Sequence, residues 1–404
     1  MKFIKLKHIA KYPTGKLNSN AATPFGEYPF FTCSHDICRI DQFSYDGEYV
    51  LLGGNNATGN FPIFYYNGKF DAYQRTYLIQ PINKTQFNTR YLYYAIGLRL
   101  KQMQANAAGT ATKFLTLPIL NNLDIEYFSL PQQEKIASIL STYDDLIEKN
   151  NRKIAILQEM AEELYKEWFV RFRFPGHKTA KFKKSRIGRI PQDFDVVKMA
   201  DVFDYFIGGG WGEEDMNNQY PVPAYVIRGT DFPSVVNGEL STCPYRYHKE
   251  SNFASRQLKN NDIIIEISGG TAEQPVGRAI LVDEHIIKRL DNKVICASFC
   301  KLVRVKQDKI SPVYFNYWMK FLYDTKIIER FQLQSTGIIN FKFEYFLRKG
   351  DVLLPPKELM NKFDSIVIPI RENIGLFAKQ NENLKTQRDL LLPRLMSGKL
   401  KVKA

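Results

Sequence analysis

Cysteine is scarce in this chain: five occur in 404 residues, at 33, 38, 243, 296 and 300, and no CxxC pair is among them. A sparse, odd-numbered set without paired spacing fits a reducing cytosol better than a disulfide framework. The run Cys33-Ser34-His35-Asp36-Ile37-Cys38 gathers possible ligands. It lacks the regular four-donor spacing of a structural zinc site, so core or loop cysteines are expected there and no metal. Long apolar runs are missing too. None approaches about 18 residues, so no membrane-spanning helix is expected. The start MKFIKLKHIAKYPTG has no apolar centre of a signal peptide. Both readings point to the cytoplasm.

Enzyme motifs are equally thin. Gly15-Lys16, Gly68-Lys69 and Gly398-Lys399 are not followed by Ser or Thr, so no phosphate-binding P-loop is readable. There is no G-x-S-x-G nucleophile elbow and no Asn/Asp-Pro-Pro-aromatic tetrapeptide of the amino-methyltransferase kind. DIIIE at 262–266 has the look of a nuclease carboxylate pair. Ser268 stands where such a site needs lysine, so the two acids are expected to flank a buried strand. The glycine cluster 208–212 around Trp211 could cradle phosphate or simply form a tight loop exposing the indole. On missing motifs, independent catalysis is not expected.

Acidic residues are in deficit. Lys and Arg number 56 against 42 Asp and Glu, a net charge of +14. Such a surplus favours a polyanionic partner, nucleic acid above all, with a merely basic protein as the alternative. At 44% apolar and 14% aromatic, the composition is globular, and the length suits two to three domains.

The pattern along the chain alternates. Residues 1–129 carry short β-branched and aromatic runs, EYVLL (48–52), FPIFYY (61–66) and RTYLI (75–79), separated by turn chemistry. Asn67-Gly68 between aromatic runs reads as a hairpin, and 89–104 reads as helix. From 132 to about 170 there is no Pro or Gly, and apolar residues recur every seven positions at Leu140, Ile147, Ile154, Ala161 and Trp168. A second line runs through Tyr143, Asn150, Leu157 and Leu164. That is a coiled-coil seam on a helix of roughly 55 Å. A basic stretch, 171–189, reads as a linker. A second strand-rich block follows, with VPAYVIRG, NDIIIEISGG, GRAILV and CASFCKLVRV as strands and 312–332 as helix.

After Pro355-Pro356 comes a second long helix, with Phe363, Ile370, Phe377, Leu384 and Leu391 seven apart. Pro369 and Gly375 should weaken or kink its first half. Gln380 and Asn381, like Asn150, put polar side chains where a seam wants apolar ones. Such residues cost stability and fix register. The chain is thus a duplicate, block then helix, twice. Short echoes (Gly109-Thr110 and Thr336-Gly337 before an apolar run and Leu-Pro) support this. The organisation reads as 1–129, 130–189, 190–353 and 354–404. The fold class is α+β, two mixed strand-rich blocks, each followed by a long helix. The helices are expected to pair as an antiparallel coiled coil with approximate two-fold symmetry. Two readers separated by some 40–50 Å of helix would suit half-sites roughly 12–15 base pairs apart.

These residues resemble the specificity subunit of type I restriction–modification enzymes. DDLIEKNNRKIAILQEMAEELYKEWFVRFRFPG (144–176) is similar to the family's central conserved region, and QRDLLLPRLMSGKL (387–400) to its C-terminal one. TGKLNSNAA (14–22), YPFFTCS (28–34) and GKFDAYQRTYLI (68–79) resemble a target-recognition domain, and IPQDFDVVKMADVF (190–203) the start of a second. The resemblance implies that each block reads one half of a bipartite, asymmetric site on double-stranded DNA. It also implies that the helices set the gap and dock two methyltransferase subunits, with two motor/nuclease restriction subunits completing the enzyme. S-adenosylmethionine would then sit on the methyltransferase, ATP and Mg on the restriction partner, and no cofactor on this chain.

Arginine suits guanine and Asn or Gln suit adenine as base contacts. The candidates are Lys16, Asn18, Asn20, Asn55, Asn56, Gln74 and Arg75 in the first block. In the second they are Trp211, Arg228, Gln274, Arg278, Asn340 and Lys342. The plain alternative for each is turn chemistry or a solvated charge. The linker cations Lys178, Lys181, Lys183, Lys184 and Arg186 either touch phosphate or are only solvated. Two rival readings remain, a protein-only coiled-coil scaffold and a self-sufficient nuclease or methyltransferase. Salt-dependent DNA binding separates the first of these from the favoured reading, and product formation by the purified chain separates the second.

Overall fold

The computed structural model describes residues 2–109, 112–270, 274–335 and 338–402. Thr110, Thr336 and Gly337, parts of the two echoes, lie outside the described residues. The chain divides into two compact units, Met1–Ile147 with Asn383–Ala404, and Glu148–Glu382. Each holds one strand-rich block and a stretch of each long helix. No described helix is long and apolar enough to cross a membrane.

The first unit is built on a six-stranded sheet in the order Ala10–Lys11, Thr76–Pro81, Tyr45–Gly53, Ile63–Ala72, Tyr28–Phe31, Cys38–Ile40. Alternation along Tyr45–Gly53 buries different residues on its two faces. Val50 and Leu52 pack with Ile79, Tyr91 and Ala95, while Leu51 packs with Phe31, Phe70 and Leu78. The helix Thr89–Gly97 starts where Asn88 Oδ1 accepts from the Tyr91 N–H at 2.9 Å, satisfying an end group that the helix itself cannot. No hairpin forms at Asn67-Gly68. Ile63–Ala72 runs straight through, and Gly68 faces Gly47, both at positive φ (+142° and +120°). Unbroken pairing from Tyr45–Phe70 to Leu52–Ile63 overrides the local turn preference.

The second unit contains a four-stranded sheet (Phe203–Gly208, Cys300–Val305, Ile263–Glu266, Ala279–Leu281) and a three-stranded one (Tyr245–His248, Val222–Ile227, Val294–Cys296). A smaller three-stranded sheet joins Ser268–Gly270, Ile338–Phe341 and Gln332–Ser335. The expected helix at 312–332 ends at Asp324 and resumes as a 3₁₀ turn, Ile327–Phe331. The basic stretch is not an open linker. Phe182–Ser185 and Gly188–Pro191 pair as a hairpin, and Phe172, edge-on, and Phe174, tilted, pack against Phe194. Lys183 meets Asp195 at 3.1 Å, Arg186 meets Asp351 at 2.7 Å, and Arg171 and Arg173 meet Glu167 at 2.5 and 3.6 Å, so four of its cations already have carboxylates.

The long helices span Leu130–Tyr165, continued by a π turn over Lys166–Val170, and Lys357–Met396. All five residues of the first heptad line, Leu140 to Trp168, are buried. Gln133 secures the start. Its amide accepts from the Asn88 N–H at 3.0 Å and donates to the carbonyls of Gln86 and Phe128 at 3.0 and 2.9 Å. In the first unit Leu140 shares a core with Leu395 and Met396, and Arg388 pairs with Asp144 at 2.6 Å. In the second, Ile154 packs on Ile374 and Ala378, and Phe363 on Trp168 and Phe169. Partners fall in number on one helix as they rise on the other, so the pairing is antiparallel.

The second helix's deepest line is not the one its apolar spacing suggests. Met360, Val367, Ile374, Asn381 and Leu395 are buried, whereas Ile370, Phe377, Leu384 and Leu391 are half-buried beside them. The helix also continues through Pro369 and Gly375 without interruption. Proline forfeits a single backbone donor there. Glycine makes room for His285, whose ring would lie 2.4 Å from a Cβ at 375.

The polar seam residues find each other. Asn150 Nδ2 donates to Asn381 Oδ1 at 2.9 Å and to Gln380 Oε1 at 3.0 Å, and Asn381 Nδ2 donates to Asn151 Oδ1 at 2.8 Å. Asn150→Leu should therefore cost about 1–3 kcal/mol by stranding buried amides, while Asn150→Leu with Asn381→Leu should recover most of the loss. A urea-denaturation double-mutant cycle reads this directly, and additive losses would exclude the coupling.

Candidate nucleic-acid interface

In the first unit, short backbone hydrogen bonds gather four loop segments. Gly15 N–H reaches the Thr76 carbonyl at 3.0 Å, Gln74 N–H the Leu17 carbonyl at 2.8 Å, and Gly54 N–H the Arg75 carbonyl at 2.7 Å. Two glycines permit this. A Cβ at Gly15 would lie 2.2 Å from the Ala72 carbonyl oxygen, and one at Gly54 2.5 Å from that of Arg75. The fourth segment, Lys113–Phe114, pairs with Asn55–Asn56.

This gathering brings Lys16, Asn18, Gln74, Arg75, Asn55 and Asn56 into one group. Gln74 Nε2 donates to Asn18 Oδ1 at 2.8 Å, and the Arg75 guanidinium lies 5.3 Å from the Phe114 ring centroid. Lys16, Asn18, Asn20, Gln74 and Arg75 are exposed. Asn20 sits in the short turn Ser19–Ala21. Asn56 Oδ1 is occupied by the Thr58 N–H and hydroxyl, both at 2.9 Å, and Asn55 Oδ1 is buried with no partner among the described residues. Lys113, opposite Asn56, escaped sequence reasoning because only strand pairing puts it there.

The second unit's candidates do not form one group. Arg228 is held by Asp231 at 2.8 and 2.9 Å and by the Thr242 carbonyl at 2.9 Å. Arg278 is bidentate to Glu266 at 2.8 Å, and the Gln274 amide rests against its guanidinium. These side chains hold the fold together. Glu266 and Asp262 do flank the buried strand Ile263–Glu266, and Asp262 is paired with Arg304 at 2.8 Å. Trp211 is partly exposed, with the Arg246 guanidinium 4.5 Å from its ring centroid. Gly212, at φ +72°, lets this loop close on Tyr247 and His248. Elsewhere, Asn340 Oδ1 accepts from Ser268 Oγ at 2.7 Å, Lys342 is exposed, and Lys301 lies 4.3 Å from the Phe343 ring centroid. Phe206 and Phe299 are exposed beside these strands. Basic and amide groups with open ring faces can meet phosphates, base edges and base planes.

Burial, reinforced by Arg246, holds His248 below its ordinary value of 6.5, and burial with Arg289 does the same for His285. Both imidazoles resist protonation when folded, so the unfolded chain takes up protons first as pH falls. Their contribution to stability is complete above about pH 6.5 and declines below it. All three tryptophans, 168, 211 and 318, belong to the second unit. Its urea midpoint by tryptophan fluorescence should be lower at about pH 5.5 than at about pH 7.5, with a smaller difference in His248→Gln. An unchanged difference would remove His248 from the account.

Residues 1–159 match the type I restriction modification DNA specificity domain. The chain's resemblance is to type I restriction specificity subunits. The EcoDI specificity subunit of Escherichia coli is 31% identical over 222 residues, which is 50% of this chain and 49% of that protein. The chain thus spans about half of that relative's length. The MjaVIII specificity subunit of Methanocaldococcus jannaschii is 25% identical over 318 residues, 78% of this chain and 70% of that one. The crystal structure of a type I restriction–modification S subunit from M. genitalium superposes with a TM-score of 0.60 at 16% identity, covering 98% of this chain and 95% of that one. The shared fold is the mixed helix-and-strand architecture with two long helices.

Proposed function

We propose that this chain is the non-catalytic DNA-specificity subunit of a type I restriction–modification complex, working in the cytoplasm. Each strand-rich block reads one half of a bipartite, asymmetric site, and the long helices set the spacer. The observation that carries this reading is the exposed group of Lys16, Asn18, Gln74 and Arg75, held on glycine-tight loops in a domain that matches a DNA specificity family. The net charge of +14 supports it.

The helices also dock two methyltransferase subunits, to which two restriction subunits add. Exposed apolar side chains on the long helices, Ile156 and Met160 on one and Leu376 and Leu390 on the other, support a partner surface there. S-adenosylmethionine belongs to the methyltransferase, and ATP and Mg to the restriction subunit. The candidate DNA-contacting set is Lys16, Asn18, Asn20, Gln74 and Arg75, then Trp211 with Arg246, and Asn340 with Lys342.

Single-molecule methylome sequencing of a host with and without this gene, its methyltransferase partner present, tests the reading. Loss of one bipartite adenine-methylated motif is the expected result. An unchanged methylome beside an active partner would favour a protein-only scaffold. A salt titration of DNA binding with the methyltransferase added then decides, because phosphate neutralisation gives a steep slope.

A further inference from the structure

Inside the second unit a cavity of about 400 Å³ opens among the helix Pro312–Asp324, the strand Ala279–Leu281 and both long helices. That volume suits a small organic ligand. Its walls include Phe232, Tyr317, Tyr323, Ile280 and Ile374. Asn316 lines it and is only 8% exposed, and its Oδ1 is buried with no hydrogen-bond partner among the described residues. Arg371 Nε is likewise buried and unpaired. Buried polar groups are rarely left this way unless something else completes them.

The charges around the cavity are already balanced. Arg371 bonds Asp283 at 3.0 Å, Lys320 bonds Asp324 at 3.0 Å and approaches Glu162 at 3.5 Å, and Arg278 is held by Glu266. An anionic ligand would have to break one of these pairs, so a neutral one fits better. Aromatic side chains in the wall favour a flat ring system. An asparagine amide offers one donor and one acceptor side by side, the complement of the adenine edge that presents an amine and a ring nitrogen.

We propose that this cavity is a binding site for a neutral purine base or nucleoside, read by the Asn316 amide. The site is separate from the DNA-reading loops and does not depend on their assignment. Occupancy completes the Asn316 amide and ties the block to both helices within the unit, so ligand and folded state stabilise each other.

Calorimetry and thermal unfolding of the full chain with adenosine, and with adenosine monophosphate as the charged control, test this. Adenosine is expected to bind and to raise Tm, with the monophosphate weaker by about tenfold or more. Asn316→Leu should weaken adenosine about tenfold or more. Val236→Trp should block binding by filling the cavity from its mouth, where Val236 is exposed and a larger ring leaves the core untouched. No heat and no Tm shift with adenosine overturns the proposal. So does equal affinity for the monophosphate, or adenosine binding unchanged by Asn316→Leu. Should Asn316→Leu fail to fold, Val236→Trp decides, because retained binding places adenosine elsewhere.

Discussion

Replacing Phe363 with alanine is expected to lower the unfolding free energy of the second unit by about 3–5 kcal/mol. Phe363 is fully buried, with its ring centroid 5.2 Å from Phe169, 5.7 Å from Tyr317, 6.1 Å from Tyr165 and 6.2 Å from Trp168. Three of those rings stand on the first long helix or its terminal π turn, and Tyr317 stands on the helix Pro312–Asp324. One side chain thus joins three elements, and rings facing on all sides leave the cavity little freedom to collapse. Trp168 reports the transition by fluorescence. A loss below about 1 kcal/mol would mean that the cluster repacks and does not hold the helices together.

The second large effect concerns assembly. Ile156 and Met160 lie one turn apart on the same helix face and are 56% and 55% exposed. Changing both to glutamate should leave the urea midpoint nearly unchanged, because neither side chain belongs to a core. If the methyltransferase docks on this face, the change buries two unpaired carboxylates at the interface and should weaken assembly by about a hundredfold or more. Size-exclusion chromatography of the mixed subunits reads the outcome. Undiminished assembly with the double variant would move the docking surface elsewhere.

Much of the scaffold is legible in the residues. The heptad from Leu140 to Trp168 needs only helical geometry, and all of it is buried. The second helix misleads because its deepest line contains Asn381 and Arg388. Counting apolar residues therefore favours the neighbouring line through Phe363, and only the partners, Asn150 and Asp144, reveal why polar groups sit there. The same division runs through the proposed DNA-contacting residues. Lys16, Asn18, Gln74 and Arg75 are proposed from side-chain type in a loop, and the structure brings them together on exposed loops. Arg278 looks like a base contact until the antiparallel pairing of Ile263–Glu266 with Ala279–Leu281 sets it beside Glu266. Arg246 and Lys301 are not singled out by the sequence for the converse reason: the rings they face, Trp211 and Phe343, are far away in sequence.

The amide layer around Asn150 and Asn381 bears on how the gene can change length. A seam that was apolar throughout would tolerate slippage by a turn, and so would tolerate codons gained or lost almost anywhere along it. Here an insertion of one to six codons rotates or shifts Asn150 away from Asn381 and leaves buried amides without partners. Only steps of about seven codons, ~21 nucleotides, matched in both helices, return every seam residue to the same face. Lengthening of this scaffold in descent is therefore expected to be stepwise, with duplicated heptad-coding units as its genetic trace.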